Sequence, residues 1–417
     1  MTDRASGAAI VSPPPAPGAT PAVQWLVLGI FAALLIAGAL TLGVENWRPG
    51  VLVVIGGLLG LALYHGAFGF NAAYQRAMTE RDMGGVRAQI VMIALAMVLF
   101  APVLAEGRAF GAEVGGAWAP TDSRLVVGAF MFGLGMQLGG GCASGTLFTL
   151  GGGSVRMMVT LIAFCAGGFW ATLHFGFWNA LPSAGTITLH DTLGWAGAVA
   201  LSLAIVGAAW IVLGRLARPD GARAPKTPPN GGARLGLRAL VRGPWPLIWA
   251  GLALALLNFA HLVIAGHPWS IAWGLTLWAA KAALWLGWSP ETSGFWADGF
   301  PARALAAPFW RDTTSLVNLA IIAGAGLAAA IAGRFRPGFQ IPAGTLVASI
   351  IGGLLLGYGA RLAYGCNIGA FFSGLASQSL HGWVWILAAI PGTWIGIKLR
   401  PLFGLGLGGR GRSPETA

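Results

Sequence analysis

Long apolar runs alternate with short polar or basic gaps along most of this chain. A helix that crosses a bilayer needs about 20 mostly apolar residues. We predict membrane-spanning helices at 23–43, 51–70, 86–106, 124–150, 155–178, 192–215, 245–265, 313–333, 343–372 and 383–398. A further apolar stretch, 268–288, is rich in tryptophan, which favours the water–lipid interface. The pattern predicts an all-α polytopic membrane protein with about 10 transmembrane helices and short re-entrant helices.

Composition agrees with a membrane protein. Of the 417 residues, 56% are hydrophobic and only 9% are charged, whereas soluble domains carry about 25% charged residues. This balance disfavours a soluble enzyme with a very large core. The formal net charge of +12 raises the question of nucleic-acid binding. The basic residues lie in the gaps between apolar runs, however, where the positive-inside rule places them, so we predict no nucleic-acid partner.

The basic residues also divide and orient the chain. We predict a disordered N-terminal tail at 1–22, transmembrane halves at 23–215 and 243–400, a linker at 216–242 and a C-terminal tail at 401–417. The linker has six Lys or Arg against one Asp and is assigned to the cytoplasm, as are both termini. The loop 179–191 has no Lys or Arg and is assigned outside. The expected location is a bacterial inner membrane, among its lipids.

The stretch 268–288 is constrained by this topology. With the linker inside and the loop 289–312 outside, an odd number of crossings must separate them. The span 245–265 supplies one crossing, so we predict that 268–288 is a re-entrant or interfacial helix. A second crossing with a different loop topology is the alternative.

Two segments in opposite halves share one frame, G-x-[Q/R]-L-x-x-G-C-x-x-G. They read GMQLGGGCASG at 135–145 and GARLAYGCNIG at 359–369, and they hold two of the three cysteines, Cys142 and Cys366. The predicted orientation runs the first segment from outside to inside and the second from inside to outside. Matching elements of opposite direction are typical of inverted-topology repeats, whose substrate site lies near the bilayer midplane.

Glycines crowd both motifs, among them Gly141, Gly145, Gly365 and Gly369. Each interior glycine costs a helix about 1 kcal/mol relative to alanine, so we predict a broken helix at each cysteine. Ser144 and Asn367 follow the cysteines and are suited to cap a restarting half-helix. Exposed N–H groups at such a start attract an anion. The alternative is that glycine and cysteine are simply small residues in tight helix packing.

The chemistry of the two motif cysteines indicates which class of solute the predicted site could pass. In apolar surroundings a cysteine keeps its proton, and the neutral S–H donates a weak hydrogen bond without repelling negative charge. Sulfur is also polarizable and makes favourable contacts with a soft solute. The residues therefore indicate a path for a sulfur- or selenium-bearing anion. Neither CxxC nor HExxH spacing occurs, and we predict no metal or cofactor.

Polar residues within apolar runs are functional candidates, because ionisable groups are costly in a bilayer. Arg361 stands where the first motif has Gln137. We expect it either to draw an anion to the cytoplasmic mouth or to anchor the membrane edge. Lys281 is expected to attract an anion at the outer side or to snorkel to the interface. His65 and His267, each at the end of a span, are candidates for the path or structural hydrogen-bonding residues.

The segments GMQLGGGCASGTL and GGLLLGYGARLAYGCNIGAFFSG resemble the two signature segments of the YeeE/YedE family of sulfur-transport membrane proteins. The segment 266–281 is similar to a further family segment, and the resemblance extends from about 51 to 398. It implies an inner-membrane permease for thiosulfate or a related sulfur anion, which cysteines at the constrictions of an hourglass pass along by S–H hydrogen bonds. Cys142 and Cys366 match the central family cysteines.

One family feature is missing from this sequence. A further family cysteine belongs near YHGAFGFNAAYQR, at 64–76, and no cysteine stands there. Its absence leaves the exact substrate open, with a related sulfur oxyanion and a selenium species as alternatives to thiosulfate. A different class of function is a membrane-embedded redox enzyme that cycles Cys142 and Cys366, although no CxxC supports it; we predict a transporter rather than an enzyme. A third hypothesis is a membrane subunit that supports a cytoplasmic sulfur-carrier protein.

Overall fold

The computed structural model describes residues 22–44, 46–217 and 237–406. The predicted tail, most of the linker and the last residues, 1–21, 218–236 and 407–417, lie outside the described ranges. Within those ranges, ten helices are long and apolar enough to cross a membrane: Trp25–Gly43, Trp47–Glu80, Gly84–Glu106, Ser123–Gly151, Val155–Leu173, Leu189–Leu216, Leu247–Ala265, Thr313–Ile331, Ala343–Ala376 and Leu380–Phe403. They correspond one to one to the predicted spans, and the all-α polytopic prediction is confirmed.

The helices of the first half are α1 (Trp25–Gly43), α2 (Trp47–Gly66), α3 (Phe70–Glu80), α4 (Gly84–Glu106), α5 (Ser123–Gly139), α6 (Ala143–Gly151), α7 (Val155–Leu173), α8 (Phe175–Asn179) and α9 (Leu189–Leu216). Those of the second half are α10 (Leu237–Arg242), α11 (Leu247–Ala265), α12 (Ala272–Trp285), α13 (Gly299–Ala306), α14 (Thr313–Ile331), α15 (Ala343–Leu362), α16 (Ser373–Ala376) and α17 (Leu380–Leu399). Four short strands lie in loops: β1 (Arg108–Ala109), β2 (Ala112–Glu113), β3 (Pro120–Asp122) and β4 (Ser183–Thr186).

Helix packing follows the predicted repeat. We match α2–α3, α4, α5–α6 and α7 with α11–α12, α14, α15–α16 and α17. The extensive contact of α7 with α15 then has its counterpart in α17 with α5, and α2 with α14 has its counterpart in α11 with α4. The pair α5–α15 maps onto itself and lies at the centre of this arrangement.

The central pair, α5 and α15, is antiparallel and closely packed. Gly128 of α5 faces Gly359 of α15, whereas Gly135 and Gly139 face Gly352, so numbering rises along one helix as it falls along the other. A Cβ added at Gly352 would lie 2.1 Å from the backbone nitrogen of Gly139, a separation that only glycine permits. Because each helix leads into its own cysteine motif, the two motifs run in opposite directions, as inverted repeats require.

The helix bundle has two distinct ends. The loop-rich face carries the loops 107–122, 174–188 and 286–312; β3 pairs with β4 there, and the Phe175 and Phe295 rings are in contact. The opposite, basic face carries Arg156, Arg334, Arg336 and Arg400, and Ser154 forms a bridge with Gly338. The predicted topology assigns the basic face to the cytoplasm, and this orientation stays a prediction.

The stretch 268–288 forms α12, a helix of 14 residues. Its length of about 21 Å is less than the bilayer core of about 30 Å, so it is too short to cross alone. It packs on α7, α14 and α15. The repeat matches it with α3, an 11-residue helix that likewise follows the first span of its repeat. The re-entrant prediction is consistent with this length, while its depth in the membrane stays a prediction.

Candidate substrate site

The first motif breaks its helix at Cys142, as predicted. α5 ends at Gly139, Gly140 adopts a φ of +83°, and Cys142 occupies the N-cap position of α6. The Gly145 N–H donates to the Cys142 Sγ at 3.4 Å, and the Ser144 hydroxyl lies 3.4 Å from the same sulfur. The expectation that Ser144 caps α6 is wrong, because the cysteine takes that position and places the serine inside the first turn.

The second motif is also broken, with a different local geometry. α15 ends at Leu362, Tyr364 has a φ of +60°, and a π-helical turn, Asn367–Phe372, follows Cys366. The Cys366 thiol lies near the backbone amides of Ile368 and Gly369. The expectation that Asn367 is a cap is also wrong: Asn367 is the first residue of the turn, and neither polar atom of its side chain has a partner.

The motif glycines make these turns possible. A Cβ at Gly365 would lie 2.8 Å from the Ala370 nitrogen, and one at Gly141 would lie 3.2 Å from the Thr146 nitrogen. At Gly145 the nearest atom to an added Cβ is the Cys142 sulfur, at 3.4 Å, and at Gly369 it is the Ser270 hydroxyl, at 3.2 Å. The glycines therefore let the backbone fold back tightly beside each thiol.

The fold brings the two cysteines together in the interior. Each is 1% exposed, both are free thiols, and they lie close enough to interact electrostatically. Trp385, near the N-terminus of α17, donates from Nε1 to the Gly365 backbone carbonyl at 3.3 Å, which ties the second loop to that helix. Cys165, the third cysteine, is buried on α7 outside both motifs.

Two further residues of this centre come from α3, and sequence reasoning missed both. The Tyr74 hydroxyl lies near Cys142 and the Asn367 side chain. The backbone carbonyl of Asn71 accepts from Gln137 Nε2 at 3.4 Å. Both belong to the segment 64–76, where the resemblance places a cysteine that this chain lacks. Polar side chains in that segment were the available signal.

Several buried polar atoms of the centre have no hydrogen-bond partner. They are Asn71 Oδ1, the Tyr74 hydroxyl, Gln137 Oε1, and both Oδ1 and Nδ2 of Asn367. All four side chains are at most 7% exposed. More than about 90% of buried polar groups in proteins are satisfied, so such a concentration beside two thiols indicates a place for a polar ligand.

The two matched motif positions, Gln137 and Arg361, are not brought together. Gln137 is fully buried, and its carbonyl accepts from Arg400 Nη1 at 2.7 Å near the basic face. Arg361 lies at the loop-rich face, within 5.7 Å of the Phe175 ring. Arg361 shares the end of the bundle with 179–191, the loop that the charge pattern assigns outside. Under that predicted topology, Arg361 does not lie at the cytoplasmic mouth.

The remaining candidates contact other groups. The buried His65 imidazole packs on Trp245, 5.7 Å between ring centroids, and its Nε2 has no partner. His267 Nδ1 lies 3.0 Å from the Pro268 carbonyl. Lys281 Nζ donates to the carbonyls of Leu305 and Ala307, both at 2.7 Å.

Lys281 thus supports the loop around α13. Burial lowers its pKa, an effect that the Asp312 carboxylate opposes. Among the described residues, no group of three or more His, Cys, Asp or Glu side chains could hold a metal ion. The groups at the centre are thiols, amides and a phenol, which in their uncharged forms can donate hydrogen bonds to an anion without opposing its charge.

These features define a class: a polytopic membrane protein with inverted repeats and a buried polar centre at broken helices, as in transporters. The family described as "Sulphur transport" matches residues 65–395, and the chain belongs to it. The matched segment includes both motifs and α3.

Named relatives agree with this assignment. The chain is 27% identical over 355 residues to the "Thiosulfate transporter TsuA" of Spirochaeta thermophila, which covers 82% of this chain and 96% of that protein. It is 24% identical over 382 residues to the protein of the same name in Escherichia coli, covering 82% and 92%. It is 29% identical over 165 residues to "Probable transporter YedE" of Escherichia coli, covering 38% and 39%. These names describe transporters rather than enzymes.

Proposed function

We propose that this protein is a permease that passes thiosulfate, or a closely related sulfur-containing anion, between Cys142 and Cys366. The observation that carries the proposal is the pair of buried thiols surrounded by unpartnered polar atoms. The proposal is also supported by membership of the sulfur-transport family and by the relatives named thiosulfate transporters.

The proposed passage uses hydrogen bonds alone. A neutral thiol donates S–H to the sulfur or oxygen of the anion, and the polarizable sulfur adds dispersion contact. Asn367 Nδ2 and the Tyr74 hydroxyl lie beside each other and can donate to the same anion, whose binding replaces part of its hydration shell. The Gln137 backbone carbonyl accepts from Arg400 of the basic face, and the Ser144 hydroxyl lies beside the Cys142 sulfur. Each contact is weak, which lets the anion leave as well as enter.

Uptake of radiolabelled thiosulfate tests the proposal. Cells that lack their own thiosulfate uptake would be compared with and without this protein. We expect Cys142→Ala and Cys366→Ala each to abolish uptake, whereas Cys165→Ala, a change of another buried cysteine, leaves it near wild type. Retained uptake in both motif variants, at equal protein abundance, contradicts the proposal.

Uptake assays in the same cells distinguish two alternative functions, transport of a selenium-containing anion and redox cycling of the thiols. A selenium-containing anion as the preferred substrate would compete with thiosulfate at lower concentration than unlabelled thiosulfate does. The redox alternative is favoured by one observation, the closeness of two free thiols. Cys→Ser variants preserve a hydrogen-bond donor but cannot form a disulfide, so partial uptake in them argues against redox cycling. A cytoplasmic sulfur-carrier partner stays a prediction, testable by co-purification.

A further inference from the structure

Arg361 occupies an unusual setting at the loop-rich face. Its guanidinium carbon lies 5.7 Å from the centroids of the Phe175 and Trp273 rings and 5.3 Å from that of Phe295. Its buried Nε has no hydrogen-bond partner. Among the described residues it forms no ion pair within 4.0 Å. Arg361 as a whole is half-buried. A half-buried guanidinium without a counter-ion is unfavourable, so this arrangement is suited to an anion supplied from outside.

A second guanidinium adds to the positive charge. Arg124 lies near enough to Arg361 for electrostatic repulsion. Asp122 is the carboxylate beside Arg124, at 3.0 Å, and the hydroxyl of Tyr364 and the N–H of Leu125 also donate to it. Its acceptor capacity is therefore largely used, and it is not paired with Arg361.

A second carboxylate near the aromatic rings, that of Asp312, also has hydrogen-bond donors of its own. Asp312 accepts from Trp273 Nε1 at 2.9 Å and from the Ser315 N–H at 2.7 Å. The cluster of Arg361, Arg124, Phe175, Trp273 and Phe295 thus retains an excess of positive charge within aromatic walls. We call it the outer cluster.

We propose that the outer cluster is an anion-binding site that receives the oxygen-bearing end of a tetrahedral sulfur oxyanion before the anion reaches Cys366. The inference rests on the proposed function. Arg361 is its principal ligand, because a planar guanidinium donates charge-assisted hydrogen bonds in the geometry that oxyanions accept. The rings restrict the space around it.

Tyr364 connects the outer cluster to the central thiol. Its hydroxyl accepts from Arg124 Nε at 2.9 Å, and Tyr364 stands two residues before Cys366, next to the turn at Gly365. An oxyanion held by Arg361 would present its sulfur end to a neutral centre. Arg361 would thus bind the charged oxygens of the anion before its sulfur atom passes the thiols.

The kinetic test separates binding from passage. We expect Arg361→Gln to raise the KM for thiosulfate by about tenfold to a hundredfold, the usual effect of losing a hydrogen bond to a charged group, with little change in maximal rate. Arg361→Lys should recover only part of the loss, because it keeps the charge but not the planar donor geometry of the guanidinium. The control is Arg303→Gln, which removes an exposed arginine from the same face and should leave KM within about twofold. An unchanged KM in Arg361→Gln, or a loss of maximal rate alone, overturns the proposal.

A binding test stands independently of transport. Sulfate has the tetrahedral oxyanion but no terminal sulfur. The Cys142→Ala/Cys366→Ala protein, purified in neutral detergent without added lipid, should bind sulfate in calorimetry, and adding Arg361→Gln should abolish this binding. Sulfate binding that survives Arg361→Gln refutes the site. Binding of an added anionic lipid without any binding of sulfate also refutes it. Failure of thiosulfate uptake by the wild type contradicts the proposed function without altering the sulfate result.

Discussion

Substitution of Gly352 by alanine tests the crossing on which the central arrangement depends. The new Cβ would lie 2.1 Å from the Gly139 nitrogen, 2.6 Å from its Cα and 2.8 Å from the Gly135 carbonyl oxygen. Ordinary contacts begin near 3.4 Å, so α15 must withdraw from α5 by roughly 1.3 Å. Because each helix leads into a cysteine loop, this shift would displace both loops.

The energetic effect follows from two opposing contributions. Overpacking of this kind costs about 1–3 kcal/mol, while alanine in place of glycine gains about 1 kcal/mol of helix propensity. We therefore expect Gly352→Ala to lose up to about 2 kcal/mol of stability and to transport more slowly. Thermal unfolding in detergent, followed by tryptophan fluorescence, and initial uptake rates measure the two effects.

The matched control is Gly207→Ala, in the interior of α9. No atom lies within 4 Å of a Cβ added there, so only the gain in helix propensity remains, and its stability should equal or exceed that of the wild type. If Gly352→Ala matches Gly207→Ala in both stability and uptake, α5 and α15 do not cross as closely as argued.

Three other substitutions probe separate parts of the site. Tyr364→Phe removes the hydroxyl that accepts from Arg124, so the Cys366 loop should loosen; slower uptake and faster maleimide labelling of Cys366 are expected, and unchanged labelling speaks against this role. Lys281→Met leaves two carbonyls without their donor and should cost about 1–3 kcal/mol of stability, measured by thermal unfolding, while the KM for thiosulfate stays unchanged. Asn367→Ala removes a buried amide with no partner, so stability should hold or rise while uptake falls; a loss of stability would instead indicate a structural role.

The distribution of charge along the proposed path has a physical rationale. The outer cluster is cationic and concentrates anions at one mouth. The centre carries neutral donors, which stabilise a dehydrated anion without trapping it. A cationic centre would bind the anion too tightly to release it, and a carboxylate would repel it. The separation of Arg361 from the buried thiols is consistent with this division of roles.

The sequence by itself determined the spans, the paired motifs and the helix breaks. Apolar run length reflects bilayer thickness directly, and glycine density near Cys142 and Cys366 reflects local helix propensity, so both are local properties. The resemblance of the motif segments pointed to the sulfur-transport family, which the comparison confirms. The opposite directions of the two motifs also followed from local charge counts, because the linker, the loop 179–191 and the C-terminal tail are assigned sides by charge and the other loops follow by alternation.

Only the tertiary structure decided which side chains meet. Asn71 and Tyr74 join the thiols because α3 packs beside α5, a contact between elements that no periodicity encodes. Cys142, rather than Ser144, caps α6 because the chain turns at Gly140 and the helix already restarts at Ala143. Arg361 and Gln137, equivalent in the repeat, lie at opposite faces because inversion places matched positions at opposite ends of the bundle. Local sequence specifies segments and their breaks, whereas distances between segments arise from packing.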